Sequence, residues 1–169
     1  YKIIGSNNIA LATAQHAASR LNYNVIKVTP SVNDDTHTYI QNLFAYIQNC
    51  KETTPYCIIA GGETTVAVPQ QSTGKGGRNQ HLVLQAIALL QAQELQQNIV
   101  LLSGATDGSD GPTDAAGAYY NSTEKYDAAV VNTYLQGFNA YNFFSHYGGL
   151  LKTGPTHTNV MDVIVAIVY

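Results

Sequence analysis

Short apolar runs alternate along this chain with longer stretches in which apolar residues return every three or four positions. Residues 1–4, 25–28, 56–60 and 99–102 are runs of strand length. Such a run bounded by turn residues predicts a strand buried on both faces. After Gly5-Ser6, Asn7 stands where it can cap a helix, and Ile9, Ala10, Ala14, Ala17, Ala18 and Leu21 follow at helical spacing. Asn33-Asp34-Asp35 supplies a cap and negative charge for a second helix, whose apolar stripe is Tyr39, Ile40, Leu43, Phe44 and Ile47. A third helix spans 79–93, with Leu82, Leu84, Ala86, Ile87, Leu89 and Leu90 mostly inward.

The remaining elements are shorter. Gly61-Gly62 reads as a turn into a strand at 64–68, and 69–77 reads as a polar loop. Segment 103–117 is turn chemistry almost throughout, followed by a short strand at 118–120, a helix over 124–135 and a β-branched strand at 162–169. Strands alternating with helices predict an α/β domain, layered α/β/α, with a largely parallel sheet. The quick return from 59 to 66 adds an antiparallel pair, so the expected sheet is mixed, with 56–60 and 99–102 at its centre. Residues 1–169 read as one unit.

Composition narrows the function classes. Of 169 residues 45% are hydrophobic and 11% charged, which excludes a disordered chain. A formal charge of −3 offers no basic footprint for nucleic acid. No apolar run reaches the ~20 residues of a membrane helix, and the first residues lack the pattern of a signal peptide. Cys50 and Cys57 make neither a disulfide framework nor a zinc pair, so reduced thiols in a cytoplasmic protein are expected. The chain begins on Tyr1 without an initiator Met, as a piece of something longer would.

Four polar segments exceed what a core requires. Gly61-Gly62-Glu63-Thr64-Thr65 leaves a central strand, where open α/β sheets bind ligands; a plain turn with an exposed Glu63 is the alternative. Gly74-Lys75-Gly76-Gly77-Arg78-Asn79 runs into a helix amino terminus, where free N–H groups and the dipole favour an anion. Arg78 adds a fork of donors matched to phosphate or carboxylate. The segment is neither a P-loop nor a dinucleotide fingerprint, and a flexible loop with Asn79 as cap is its alternative. Asp107, Asp110 and Asp114 lie in the glycine-rich loop after 99–102, where carboxylates could converge on a cation or a hydroxyl, or simply make Asx turns. Gly154-Pro155-Thr156-His157-Thr158-Asn159 combines glycine, hydroxyls and an amide before the last strand. The other histidines, His16, His37, His81 and His146, fall in or beside helical patterns and read as surface or supporting groups.

In this order the segments resemble the MOFRL domain, the C-terminal domain of the glycerate 2-kinase family, whose members are also labelled hydroxypyruvate reductases. The resemblance rests on 61–66, on Gly76-Gly77-Arg78-Asn79-Gln80, and on Thr106-Asp107-Gly108 through Gly111 to Gly117. It is completed by Thr153-Gly154-Pro155-Thr156, Thr158-Asn159-Val160 and Asp162. It covers essentially the whole chain, with 1–50 similar to the segment leading into the domain. The chain departs from the family pattern at His157, where Gly is usual, and at Met161, where Asn is usual.

The resemblance implies phosphoryl transfer from ATP to the 2-hydroxyl of glycerate, with Mg²⁺ neutralising charge. It also implies a cleft shared with a Rossmann-like N-terminal domain whose catalytic lysine has no counterpart here. By the same resemblance, Arg78 serves the transferring phosphate or the substrate carboxylate. Asp107, Asp110 and Asp114 hold Mg²⁺ (Asp107 and Asp110 foremost) or orient the attacking hydroxyl. Gly61, Gly62, Glu63, Thr64, Lys75, Gly76, Gly77, Asn79, Thr156 and Asn159 bind substrate or phosphate. Two alternatives stand beside this: a ligand-binding or interaction module without catalysis, and a hydroxypyruvate reductase.

Overall fold

The computed structural model describes residues 5–53, 55–93 and 95–169, so the strand expected at 1–4 lies outside the described residues. Its elements run α1 (Asn7–Arg20), β1 (Asn24–Val32), α2 (Thr36–Asn49), β2 (Tyr56–Gly62), α3 (Arg78–Ala92) and β3 (Ile99–Ala105). They continue with β4 (Gly117–Asn121), α4 (Ala128–Gln136), α5 (Ala140–Tyr147), β5 (Leu150–Leu151) and β6 (Asp162–Val168). The strands form one six-stranded sheet in the order β1-β2-β6-β3-β4-β5.

The α/β class and the mixed sheet are as expected, but the sheet is not largely parallel. Among the described strands only β1 and β2 pair in parallel; the other four junctions are antiparallel. The reason is the place of β6. The strand–helix alternation does run β1, β2 and β3 in one direction, as crossover connections require. β6 then inserts between β2 and β3 and faces both in antiparallel register. The strands at 56–60 and 99–102 are interior, as their unbroken apolar character predicts.

Period-two alternation divides the sheet's side chains between two layers. Cys57 and Ile59 of β2 face α1, packing with Leu11, Ala14 and Ala18 and with Val163, Val165 and Ile167 of β6. Tyr56, Ile58 and Ala60 face the other way, into the main core with α2, α3 and the aromatic side of α5. Phe143 is the hinge of that side, edge-on to Tyr126, Tyr134 and Phe144.

Several local expectations are corrected. No strand forms at 64–68; Thr65 makes a single parallel bridge to Asp35, with Thr65 N–H donating to the Asp34 carbonyl and Thr36 N–H to that of Thr65. The chain leaving β2 therefore does not fold back as a hairpin but runs on beside the start of α2. β1 continues past Pro30, which an edge strand tolerates because its outer N–H needs no partner. Its register shifts between Thr29 and Val32. The first helix is capped by Ser6, whose Oγ accepts from Ile9 N–H at 3.3 Å, and Asn7 is its buried first residue. The helix expected over 124–135 begins later, at Ala128, where Asp127 caps it, and α5 and β5 were not anticipated.

Candidate functional site

The paired register of Gly62, Asp162 and Ala105 puts the carboxyl ends of β2 and β3 beside the start of β6. Three polar loops leave the sheet at this point, and the amino terminus of α3 points to it. A cleft of about 580 Å³ opens there, lined among others by Glu63, Thr64, Gly76, Gly77, Arg78, Asp107, Asp110 and Asn159. Residues from all four polar segments thus meet at the carboxyl ends of β2 and β3, the end of an open sheet where such folds bind ligands. Thr156 is not in the lining, but its backbone N–H donates to the Asp107 carbonyl at 3.1 Å, which fixes the back of that loop.

Arg78 is the first residue of α3, and its guanidinium is held by two carboxylates. Nε donates to Asp162 Oδ2 at 2.6 Å and Nη2 to Asp162 Oδ1 at 3.1 Å, a fork-to-fork pair. Nη2 also meets Glu63 Oε1 at 3.1 Å. Asp162 is 2% exposed, so one end of the pair is anchored in the interior. The hydrogen bond to Asp162 pushes the Arg78 pKa further up, against the opposing effect of burial. Nη1 makes no hydrogen bond among the described residues, which leaves Arg78 oriented yet still able to donate into the cleft. Asp162 stands in the family-like motif but was not singled out as a site residue; its partner 84 residues earlier could not be read from spacing.

The expected anion site at the α3 amino terminus is already filled. Asp110 Oδ1 accepts from Asn79 N–H at 3.1 Å and Asn79 Nδ2 at 3.2 Å, and Oδ2 from Gln80 N–H at 2.9 Å. The N-cap position itself is Gly77, which has no side chain to do this, and a Cβ there would overlap the Asp110 carboxyl. Asp110 is a cap supplied from another loop. With both oxygens bound to N–H donors and only 2% exposure, it is not a free metal ligand. Burial pushes its pKa up in spite of those hydrogen bonds. Asn79 serves the same network, its Oδ1 accepting from Ser103 Oγ at 2.5 Å.

Asp107 is arranged differently. It is half-buried, Oδ1 accepts from Ser109 N–H at 3.0 Å, and Oδ2 lies 3.5 Å from Asn159 Nδ2. Asn159 in turn accepts from Met161 N–H through Oδ1 at 3.0 Å. Among the described residues no three His, Cys, Asp or Glu side chains gather as a metal site.

Other expected site residues lie outside the cleft lining. Asp114 accepts from Tyr141 OH at 2.7 Å and from Lys152 Nζ at 2.8 Å, and the lysine lowers its pKa to about 2. Lys75 sits over the Tyr141 ring, 4.0 Å from its centre. Gly61 packs on Asn7, whose Nδ2 donates to the carbonyls of Val160 and Asp162, tying α1 to the edge of the site. Gly62 lies against the Val32 backbone with φ at 135°, a close approach only glycine permits. These glycines shape the edge of the site and are not part of the cleft lining.

Two cleft residues escaped the sequence reading. His81, expected as a surface or supporting group, is 7% exposed, and its ring stacks on Phe138 with centroids 5.2 Å apart and planes 4° from parallel. Burial lowers its pKa to about 4, so it is neutral at neutral pH. His81 lies one helical turn past Arg78, a spacing that could have flagged it. Phe138 had no signal, because its neighbour is 57 positions away.

Comparison with known proteins points to one family. A glycerate kinase of Rattus norvegicus is 35% identical over 95% of this chain and 40% of its own length. A D-glycerate 2-kinase of Thermotoga maritima is 44% identical over 68% of this chain and 27% of its own length. The crystal structure of a glycerate kinase from Thermotoga maritima superposes with a TM-score of 0.82 at 31% identity, covering 99% of this chain and 42% of that one. The chain thus spans about 40% of the length of the curated relatives it matches. The MOFRL family model matches residues 56–162, from the first residue of β2 to the Asp162 that holds Arg78, and the chain belongs to the MOFRL family.

Proposed function

We propose that this domain forms one wall of the active site of a glycerate 2-kinase, which transfers the γ-phosphoryl group of ATP to the 2-hydroxyl of glycerate. The carrying observation is Arg78, fixed by Asp162 and Glu63 at the mouth of a cleft and retaining an unengaged Nη1. Phosphoryl transfer asks a protein for positioning and charge stabilisation rather than covalent chemistry. A pre-oriented guanidinium with free donors supplies both, to the transferring group or to the glycerate carboxylate.

The cleft's charge balance supports a shared site. Arg78 is one cation among Glu63, Asp107, Asp110 and Asp162. A wall so acidic repels a free polyanion. The missing positive charge belongs to a second, N-terminal domain and to a divalent cation. The donor set fits Mg²⁺, which takes one or two carboxylates together with phosphate oxygens. Asp107 is the lining carboxylate least committed to other groups, with Asn159 beside it. Bound there, Mg²⁺ would neutralise charge on the transferring phosphate. Thr64, buried beside Glu63, lines the cleft floor. A cytoplasmic setting suits this chemistry, and no helix among the described residues is long and apolar enough to cross a membrane.

The test is a coupled assay on the full-length protein with glycerate and MgATP, with the product's phosphate position read by phosphorus NMR. Arg78→Ala should lower kcat/KM by at least about a hundredfold, the scale of losing one charge-stabilising donor. An unchanged rate in that variant would remove Arg78 from the reaction. Formation of 3-phosphoglycerate would overturn the assignment to the 2-hydroxyl.

A further inference from the structure

The cleft lining has a second character that a small hydroxy acid does not use. Beside the charged groups stand Val66, Val68, His81 and Phe138, and Val68 is 55% exposed to the cleft and solvent. Glycerate is carboxylate and hydroxyl on three carbons and finds nothing to bind on such a surface. ATP carries both a polyanion and a flat aromatic ring, and a cleft of about 580 Å³ is of the size that holds a ligand of that kind.

Two further observations converge on the aromatic pair. Phe138 is held at φ 52°, in the left-handed region that a bulky side chain avoids. Strain of this kind persists where the surroundings over-determine it, commonly at ligand sites. Here the surroundings are the helix end and the glycine loop. Phe138 N–H donates to the Leu135 carbonyl, Asn139 N–H to that of Tyr134, and Asn139 Oδ1 accepts from Lys75 N–H. Secondly, His81 is 93% buried by its 7% exposure, lines the cleft, and its imidazole hydrogen-bonds to no described residue. A neutral imidazole offers one donor and one acceptor, the pair of functions that a nucleobase edge also presents.

We propose that the His81–Phe138 shelf, flanked by Val66 and Val68, seats the adenine ring of ATP. This rests on the kinase reading above and adds to it which domain reads the base. Stacking supplies affinity, and the His81 edge supplies the polar contact.

The decisive variant is Phe138→Gly, which removes the ring and also relieves the positive φ, so that loss of folding does not confuse the result. In the full-length protein with Mg²⁺, calorimetry with ATP and with tripolyphosphate separates the base from the phosphates. Phe138→Gly and His81→Ala should each weaken ATP binding by about tenfold, as loss of one stacking contact does, while tripolyphosphate and glycerate stay within about twofold. Unchanged ATP affinity in both variants would overturn the proposal. So would an equal loss for tripolyphosphate, which would make the pair a mere prop for the phosphate site. Shelf-dependent ATP binding without phosphoglycerate formation would support the subsite and overturn the kinase reading. Phosphoglycerate formation with shelf-independent ATP binding would do the reverse.

Discussion

His157 and Met161 stand at φ 57° and 68°, in the backbone region where L side chains are strained. These are the two positions where the resemblance to the MOFRL domain implies Gly and Asn. The usual residues are the ones that this backbone conformation prefers, so the departures are local strain rather than a different loop. Met161→Asn should therefore raise stability by about 1 kcal/mol, measured as a shift of the urea midpoint. His157→Gly should gain less, because glycine also adds freedom to the unfolded chain.

A second effect at this scale is the neutral imidazole of His81. Burial sets its pKa to about 4 against 6.5 for a free side chain. The unfolded chain takes up the proton near pH 6.5 and the folded chain only near pH 4. The resulting stabilisation, up to about 3 kcal/mol, is complete above pH 6.5 and is lost as pH falls towards 4. His81→Phe should flatten the stability difference in that window when unfolding free energies are compared at pH 4.5 and 7.

At the scale of elements, α3 depends on a residue 30 positions beyond its own third residue, Gln80. Asp110 supplies what Gly77 cannot, and three N–H donors converge on it. Asp110→Ala should cost roughly 3 kcal/mol and fray the first turn of α3, visible as faster amide exchange at residues 79–81. The effect on catalysis would follow, because Arg78 is the first residue of the same helix. Arg78→Ala leaves the buried Asp162 carboxylate unpaired and so costs stability as well, but it keeps the Asp110 cap and slow amide exchange at residues 79–81, which distinguishes the two neighbours.

At the scale of the whole molecule, β6 follows the other strands in sequence yet is one of the two central ones. β6 pairs along its length with β2 and β3, so the sheet cannot form in full until residues 162–168 are available to it. A chain ending at Met161 should show no cooperative thermal transition, whereas removal of Tyr169, which is exposed, should be tolerated. Such long-range pairing also predicts folding slower than a helical domain of this size would show, measurable by stopped-flow refolding.

The elements that repeat a local pattern were legible from the chain: α1, α2, α3 and the strands at 56–60 and 99–102 follow from apolar periodicity and turn residues alone. So did the four polar segments, since glycine, carboxylate and hydroxyl clusters have no role in a core. Tertiary structure decided what each segment does, because each answer depends on a partner far along the chain. The insertion of β6 turns an expected mixed but largely parallel sheet into a mostly antiparallel one, although the directions of β1, β2 and β3 are those the alternation implies. Asp110 and Asp114 look alike in sequence. One is buried under a helix terminus as its cap, and the other is exposed beside Tyr141 and Lys152. Local residue types specify which chemistry is available. Only folding brings Asp162 to Arg78 and Phe138 to His81, because pairing energies between distant residues leave no periodic trace in the chain.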